Sequence, residues 1–336
     1  MEPNKIQAEL FRLIRAQVPD STPLADVIAK VLDISTDSAY RRIRGEKAIG
    51  IEELSVLSSH FHISLDQLME IATGAIAFRG QYMSAQTFRF EEYMSSLNKQ
   101  MQYMNSFREV EFFYSCKDMP IFHHFHFREI AAFKWFFWLK TYFQFPEFAK
   151  RKLRLEEYPE ELYAMDQEAL RLYNSIPSVE IWNIESMNIL FRQIDFYRDA
   201  RVFENDRQVA ELYDVIDKIW THLEQQAALG YKFMYGDPQR KPMGKFRMYF
   251  NEVLLGDNNM LVTLDGVKVA YVTHTTINFM QTRDTVFCEN MFQHFQNQMK
   301  RSTLISEVSE KDRSRFFRII RDRINTRKQN LISTGS

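Results

Sequence analysis

The sequence predicts two bodies of different class: an all-α domain of five short helices over residues 1–75, and an α+β domain with a central sheet and flanking helices over 108–336. Three observations carry that division. Apolar residues recur at helical spacing through the first 75 positions, in a chain with only 10 glycines and 9 prolines. From residue 108, runs such as "REVEFFYSC" and "SVEIWNI" concentrate β-branched and aromatic residues in the manner of strands. Asp265-Gly266, between "NMLVTL" and "VKVAYV", is the dipeptide a type I′ hairpin turn asks for, because both central residues need positive φ. A chain of 336 residues with 45% hydrophobic content can bury two cores.

In the first helix Ile6, Leu10, Leu13 and Ile14 mark one face. "STPLADVIAKVL" then offers Thr22 as cap, Pro23 at the first helical position and Asp26 near the positive end, with Leu24, Val27, Ile28 and Val31 as a buried stripe. Asp33 sits in a tight turn, and Ser35 starts the third helix. "GIEELSVLSSHF" and "SLDQLMEIA" supply two more amphipathic segments, the second capped by Ser64. Residues 76–107 read as a connector: a loop around Gly80, then an apolar-periodic helix from about Phe88 to Met104. Its methionines and aromatics predict burial against the second domain or a partner subunit. Beyond 108, helices at about 123–144, 185–203, 206–229 and 285–303 surround the strands. "FRMYFNEVLLGDNNMLVTLDGVKVAYVTHTTINFMQ" reads as one meander, and a helix around "KDRSRFFRIIRDRI" ends the chain.

The formal net charge is -1, so no global field holds this protein on nucleic acid or an anionic membrane; any such contact needs a local patch. Cys116 and Cys288 stand far apart without CxxC or CxxH spacing, which argues against a disulfide framework, a zinc finger or export. Both are expected to be buried. The N-terminus lacks the basic start, apolar stretch and small-residue site of a secretory signal. "IAAFKWFFWLKTYFQF" is too short to cross a bilayer and carries Lys134 and Lys140, so it reads as a core helix. A cytoplasmic protein with no membrane contact is the expectation.

The local patch is "STDSAYRRIRGEKAIG", residues 35–50. A helix starting near Thr36 puts Thr36, Asp37, Tyr40, Arg41 and Arg44 on one face, and Ala39 and Ile43 on the opposite one. Small Ala29 and Ala39 let two helices cross closely over the turn at Asp33, the geometry of a helix-turn-helix. The order of residues in "IAKVLDISTDSAYRRIRGEKAIGIEELSVLSSHFHISLDQL" resembles the five-helix DNA-binding domain of the lambda-repressor-like, Cro-related family, over about one fifth of the chain. Two positions depart from that pattern. Asp33 replaces a turn glycine, a change that a left-handed aspartate tolerates, and Ile43 replaces a frequent glutamate and with it an internal ion pair. The resemblance implies that Thr36, Asp37, Tyr40 and Arg41 read bases and that Ser38, Arg44 and Lys47 hold phosphates. Arginine's bidentate fork on guanine agrees with the first role, and short hydroxyl or cationic groups suit the second. Arg42 has three destinations open to it: Glu46, Asp37 or a phosphate. Charged helix faces are commonly only solvated, and seven nearby acids keep this domain from being basic.

In the second domain His123, His124 and His126 invite a metal, but no carboxylate follows at a recognisable ligand spacing, and partial burial with hydrogen bonding is the ordinary fate of such residues at a strand-to-helix junction. On a strand, His124 and His126 would share a face. The order strand, helix, strand, helix, meander and closing helix loosely resembles the phospholipase-D-like sensor domains attached to some bacterial regulators. Enzymes of that superfamily use His-x-Lys; here His274 is followed by "TTI" and no HxK occurs, so the resemblance implies a non-catalytic domain for dimerisation, sensing or both. No phosphate loop, GxGxxG, HExxH or GxSxG is present, and no cofactor is expected. Arg313, Arg315, Arg318, Arg321 and Arg323, interleaved with Phe316, Phe317, Ile319, Ile320 and Ile324, read as the rim of a packing helix. The expectation is a non-enzymatic bacterial transcription regulator that binds double-stranded DNA as a homodimer and answers a small-molecule or protein effector. Its rivals are a protein-binding adaptor and a nuclease or phosphodiesterase.

Overall fold

A computed structural model describes residues 3–68, 76–80, 83–253, 256–275 and 277–334. The N-terminal region is helical, with α1 (Pro3–Arg15), α2 (Leu24–Leu32), α3 (Thr36–Ile43), α4 (Ile51–Phe61) and the short α5 (Leu65–Leu68). The remainder of the fifth expected helix, and the expected boundary at 75, lie outside the described residues. Leu10, Ile14, Ile28, Ala39 and Leu57 form a small core of their own, fed by the apolar stripe of each helix. The start of α2 differs from expectation by one position. Pro23, extended at ψ 121, is the N-cap and no side chain caps the helix, so Thr22 has no capping role. In the expected stripe Ile28 is fully buried while Leu24, Val27 and Val31 pack at its edge, because Ala25 and Ala29 take the centre.

A second body follows, built on a mixed seven-stranded sheet. Its strands are β1 (Val110–Cys116), β2 (Ser178–Trp182), β3 (Phe246–Phe250), β4 (Asn259–Leu264), β5 (Val267–Thr273), β6 (Phe279–Thr282) and β7 (Thr303–Leu304), in the order β6-β5-β4-β1-β2-β3-β7. β1, β2 and β3 run parallel, and each other strand is antiparallel to its neighbour. The β4–β5 hairpin closes on Asp265 (φ 45) and Gly266 (φ 84), as the dipeptide requires. β3 corrects the single-meander expectation. It pairs parallel with β2, and the chain then crosses to the free edge of β1 before the β4–β5–β6 meander begins. Two apolar runs in succession do not disclose which edge each will find.

Parallel pairing needs long crossovers. The first holds α7 (Ile121–His124), α8 (Arg128–Phe137), a π-helical turn at Trp138–Tyr142 and α9 (Glu160–Ser175); the second holds α10 (Asn188–Asp199) and α11 (Asp206–Leu229). The expected helix at 123–144 is therefore divided, and α9 has no counterpart in the sequence reading. Asp166 and Asn174 lie buried in its inner stripe beside Leu162, Ala169 and Tyr173, which dilutes the apolar period. α12 (Thr285–Lys300) stops before β7, which occupies the end of the expected 285–303 helix, and α13 (Glu310–Thr334) closes the chain.

The two faces of the sheet are covered unequally. Phe112, Tyr114, Trp182 and Met248 point into the main core with α8, α11 and α13, and Met94, Met101 and Met104 of α6 (Phe90–Asn105) join the same core. On the other face Phe113, Val179, Ile181 and Leu261 meet Cys288 and Phe295 of α12. The aromatic helix is buried over Ile130–Phe136, as its wide apolar wrap predicts, and both cysteines are buried. α13 is the expected packing helix: Phe316, Phe317, Ile320 and Ile324 are buried, while Arg321 pairs with Glu224 and Arg323 with Glu185.

The histidines are not on a strand. His123 and His124 lie on α7 and His126 just after it, all buried. Nε2 of His123 sits 3.1 and 3.2 Å from the carboxylate oxygens of Glu180, which also accepts from Trp182 Nε1 at 2.7 Å and from the Tyr173 hydroxyl. A carboxylate does follow, but 57 residues on in the chain. Among the described residues no group of three or more His, Cys, Asp or Glu is arranged to hold a metal. Likewise no helix among them is long and apolar enough to cross a membrane.

Candidate nucleic-acid interface

The turn between α2 and α3 is made by Asp33, left-handed at φ 52 and ψ 51, whose N–H donates to Ala29 O; the N–H of Ile34 reaches the same carbonyl at 3.0 Å. Aspartate is among the few residues that adopt this conformation at modest cost, so the missing glycine is replaced without losing the turn. Ser35 then caps α3. Its Oγ accepts from Ser38 N at 3.3 Å and lies 3.0 Å from Ser38 Oγ. Ala29 and Ala39 are both buried where the helices meet, so small side chains do set the approach of α2 and α3.

The outer face of α3 matches the arrangement expected from the sequence. Thr36, Asp37, Tyr40, Arg41 and Arg44 are exposed, with Tyr40 47% accessible, and Lys47 is exposed in the loop that follows. Ser38 is half-buried and engaged with Ser35. Arg44 pairs with Glu46 (Nε to Oε1, 2.8 Å), and both groups are about half exposed. Such a pair is weak and a phosphate can displace it. Gly45, at φ 75, ends the helix, and the N–H groups of Glu46 and Lys47 both turn back to Arg41 O at 2.8 and 3.2 Å.

Arg42 goes to none of the partners open to it in the sequence reading. It is 3% exposed and grips Glu53 of α4 with two bonds, Nε to Oε2 at 3.0 Å and Nη2 to Oε1 at 2.5 Å, while Nη1 donates to Ser38 O at 3.1 Å. The pairing raises the Arg42 guanidinium and lowers the Glu53 carboxyl from their ordinary values. Glu53 also accepts from Gly50 N–H at 3.4 Å, which fixes the start of α4. An internal ion pair is thus present, carried by position 42.

Sequence reasoning missed Gln7. From α1 its Nε2 donates to Arg42 O at 2.7 Å and Lys47 O at 2.8 Å, and its Oε1 accepts from Ile49 N–H at 3.0 Å. One amide therefore fixes both the end of α3 and the loop that presents Lys47. Nothing at position 7 signals this, since the partners lie 35 to 42 residues away. His274, the residue nearest to a phosphodiesterase motif, is exposed between β5 and β6. The result is a rigid helix with hydroxyl, carboxylate, phenol and guanidinium groups along one open edge, a donor and acceptor set suited to base edges, and cations at its end suited to phosphates. No curated protein and no solved structure matches this chain. Residues 13–86, which contain α2 to α5 and the segment after them, match the BetR domain, a DNA-binding domain of the helix-turn-helix type.

Proposed function

We propose that this protein is a cytoplasmic bacterial transcription regulator that binds double-stranded DNA as a homodimer by inserting α3 into the major groove. Thr36, Asp37, Tyr40 and Arg41 read bases, and Ser38, Arg44 and Lys47 hold the backbone. The observation that carries the reading is the division of labour on α3: Arg42 and Ala39 are buried to fix the helix while the Thr36–Arg41 edge is left open. The resemblance to the lambda-repressor-like family supports these individual roles. A single weakly cationic domain binds poorly, and two copies addressing two half-sites supply the missing affinity. The α+β domain, similar in its element order to non-catalytic phospholipase-D-like sensor domains, pairs the subunits and answers an effector without turnover or a cofactor.

Genome-wide mapping of bound sites supplies the operator and its half-site spacing, and binding to that operator is then measured against salt. Two cationic phosphate contacts per subunit give four in a dimer, hence a log–log slope of about -3 to -4. A shallow slope, or no enriched sites, overturns the DNA reading in favour of a protein-binding adaptor.

A further inference from the structure

Where the helical region meets the sheet, the structure contains a cleft of about 440 Å³. Its floor is Phe112 and Tyr114 of β1 with Met260 and Tyr271 of β4 and β5, and its wall is Leu97, Met101 and Met104 of α6. A dry cavity of about 150 Å³ already admits a benzene ring, so this one has room for a body roughly three times larger. Methionine-rich walls adapt to flexible apolar guests. The cleft runs on into a groove of about 810 Å³ between the α1–α2 turn, the end of α4 and the sheet edge, and the two share Arg79, Gly80, Gln100 and Gln281.

The mouth is cationic. Arg79 is held in place by a β-bridge to Gln281, with N–H to O distances of 2.7 Å in both directions, and its Nη2 donates to His62 O at 2.7 Å. His62 is the left-handed residue that closes α4. Arg283, on the groove side, touches the Tyr103 hydroxyl at 3.3 Å and Ala16 O at 3.5 Å, and Tyr103 in turn donates to Gln17 O at 2.9 Å. Neither guanidinium lies within 4.0 Å of a carboxylate among the described residues, whereas Arg128, Arg151, Arg171, Arg247, Arg321 and Arg323 each pair with one. Partial desolvation and the neighbouring Arg283 together push the Arg79 guanidinium below its ordinary value.

We propose that this cleft is an effector site for a single-chain amphipathic anion, its apolar tail among the methionines and rings and its carboxylate or phosphate head at Arg79 and Arg283. The inference rests on the regulator reading for its consequence, though not for its binding chemistry. A head group on Arg79 competes with the carbonyl of His62 for the guanidinium, so ligand loosens one tie between α4 and the sheet. Coupling between the two sites then follows from linkage.

The test uses the full chain and calorimetric titration with sodium decanoate, decyl phosphate and decan-1-ol, each below its self-association concentration. Decanoate or decyl phosphate binds once per chain and at least tenfold more tightly than decanol, and which of the two binds better identifies the head group. Arg79→Gln reduces the anion to the affinity of the alcohol, and Leu97→Trp, which fills the cleft, abolishes all binding. Ser96→Phe, placed at the same wall, replaces Leu97→Trp if that variant does not melt cooperatively. Absence of binding by both anions, decanol binding as tightly as they do, or filled variants that bind normally each overturns the site. Operator binding is measured separately with and without decanoate. An operator affinity that moves less than threefold overturns the coupling, and anion binding without any operator binding leaves the site standing while ending the regulator reading.

Discussion

Arg41 and Arg42 are neighbours in the chain with opposite environments. Arg41 is exposed on the open edge of α3, and Arg42 is buried against Glu53. The difference follows from helical geometry, since a step of about 100° carries one side chain outward and the next toward α4. Arg41→Ala is expected to relax base preference at its position and to cost about 1–3 kcal/mol of specific binding, read as operator competition against single-base variants. Lys47→Ala is expected to weaken all sequences alike and to make the salt slope shallower; an unchanged slope sinks its phosphate role. Glu53→Ala strands a buried guanidinium with one remaining bond to Ser38 O, so a stability loss of about 1.5–3 kcal/mol in denaturant unfolding is expected. The exposed face was legible in the sequence because it depends only on spacing within one helix. The partner of Arg42 was not, because it lies eleven residues on in another helix.

Elements set by local chemistry agree closely with the sequence. Ser35 caps α3, Gly45 ends it, and Asp265-Gly266 turns the hairpin, each through a requirement on its own backbone. Ser35→Ala removes the acceptor for Ser38 N–H and is expected to cost about 1 kcal/mol, visible as a lower melting point of the helical domain with little change in the sheet domain. Elements that depend on distant packing leave a weaker mark in the sequence. α9 hides Asp166 within its inner face, where the Tyr158 hydroxyl donates to it at 2.7 Å, so a polar residue stands where an apolar one would mark the period. The aromatic run marks a central helix, but no local signal marks its interruption at 125–127 or its π-helical end at Trp138–Tyr142.

Across the whole molecule, the sheet domain carries an unusual load of buried titratable groups. Burial holds His124 and His126 well below the ordinary histidine value and His222 at about 4. The unfolded chain takes up protons on these residues below about pH 6.5 while the folded chain does not, so stability falls as pH drops from 6.5 toward 4. Each group contributes up to about 1.4 kcal/mol per pH unit. Asp166, raised to about 7 by burial, works in the opposite direction, because the folded state keeps a proton that the unfolded carboxyl releases above its ordinary value of 3.8. Asp118, raised likewise by burial, acts in the same sense as Asp166, and three histidines against these two carboxyls leave a net loss on acidification. The urea midpoint is therefore expected to be lower at pH 5 than at pH 7, and an equal or higher midpoint at pH 5 would contradict the burial of the three histidines. At this same scale the two bodies meet through Tyr103, Arg79 and Arg283, contacts that join residues 86 to 267 positions apart with the exception of Arg79 and His62.

By itself the sequence determined the class of each body, the open edge of α3, the hairpin and the packing role of the last helix, because periodicity, caps and turn residues act over a few neighbouring positions. Only the tertiary structure decided that β3 lies beside β2, that Glu53 takes Arg42, that Glu180 meets His123, and that an apolar cleft opens between α6 and the sheet, with His62 at its mouth. Those outcomes depend on which surfaces remain unpaired once the local elements exist, and burial free energy selects among them without regard to distance along the chain.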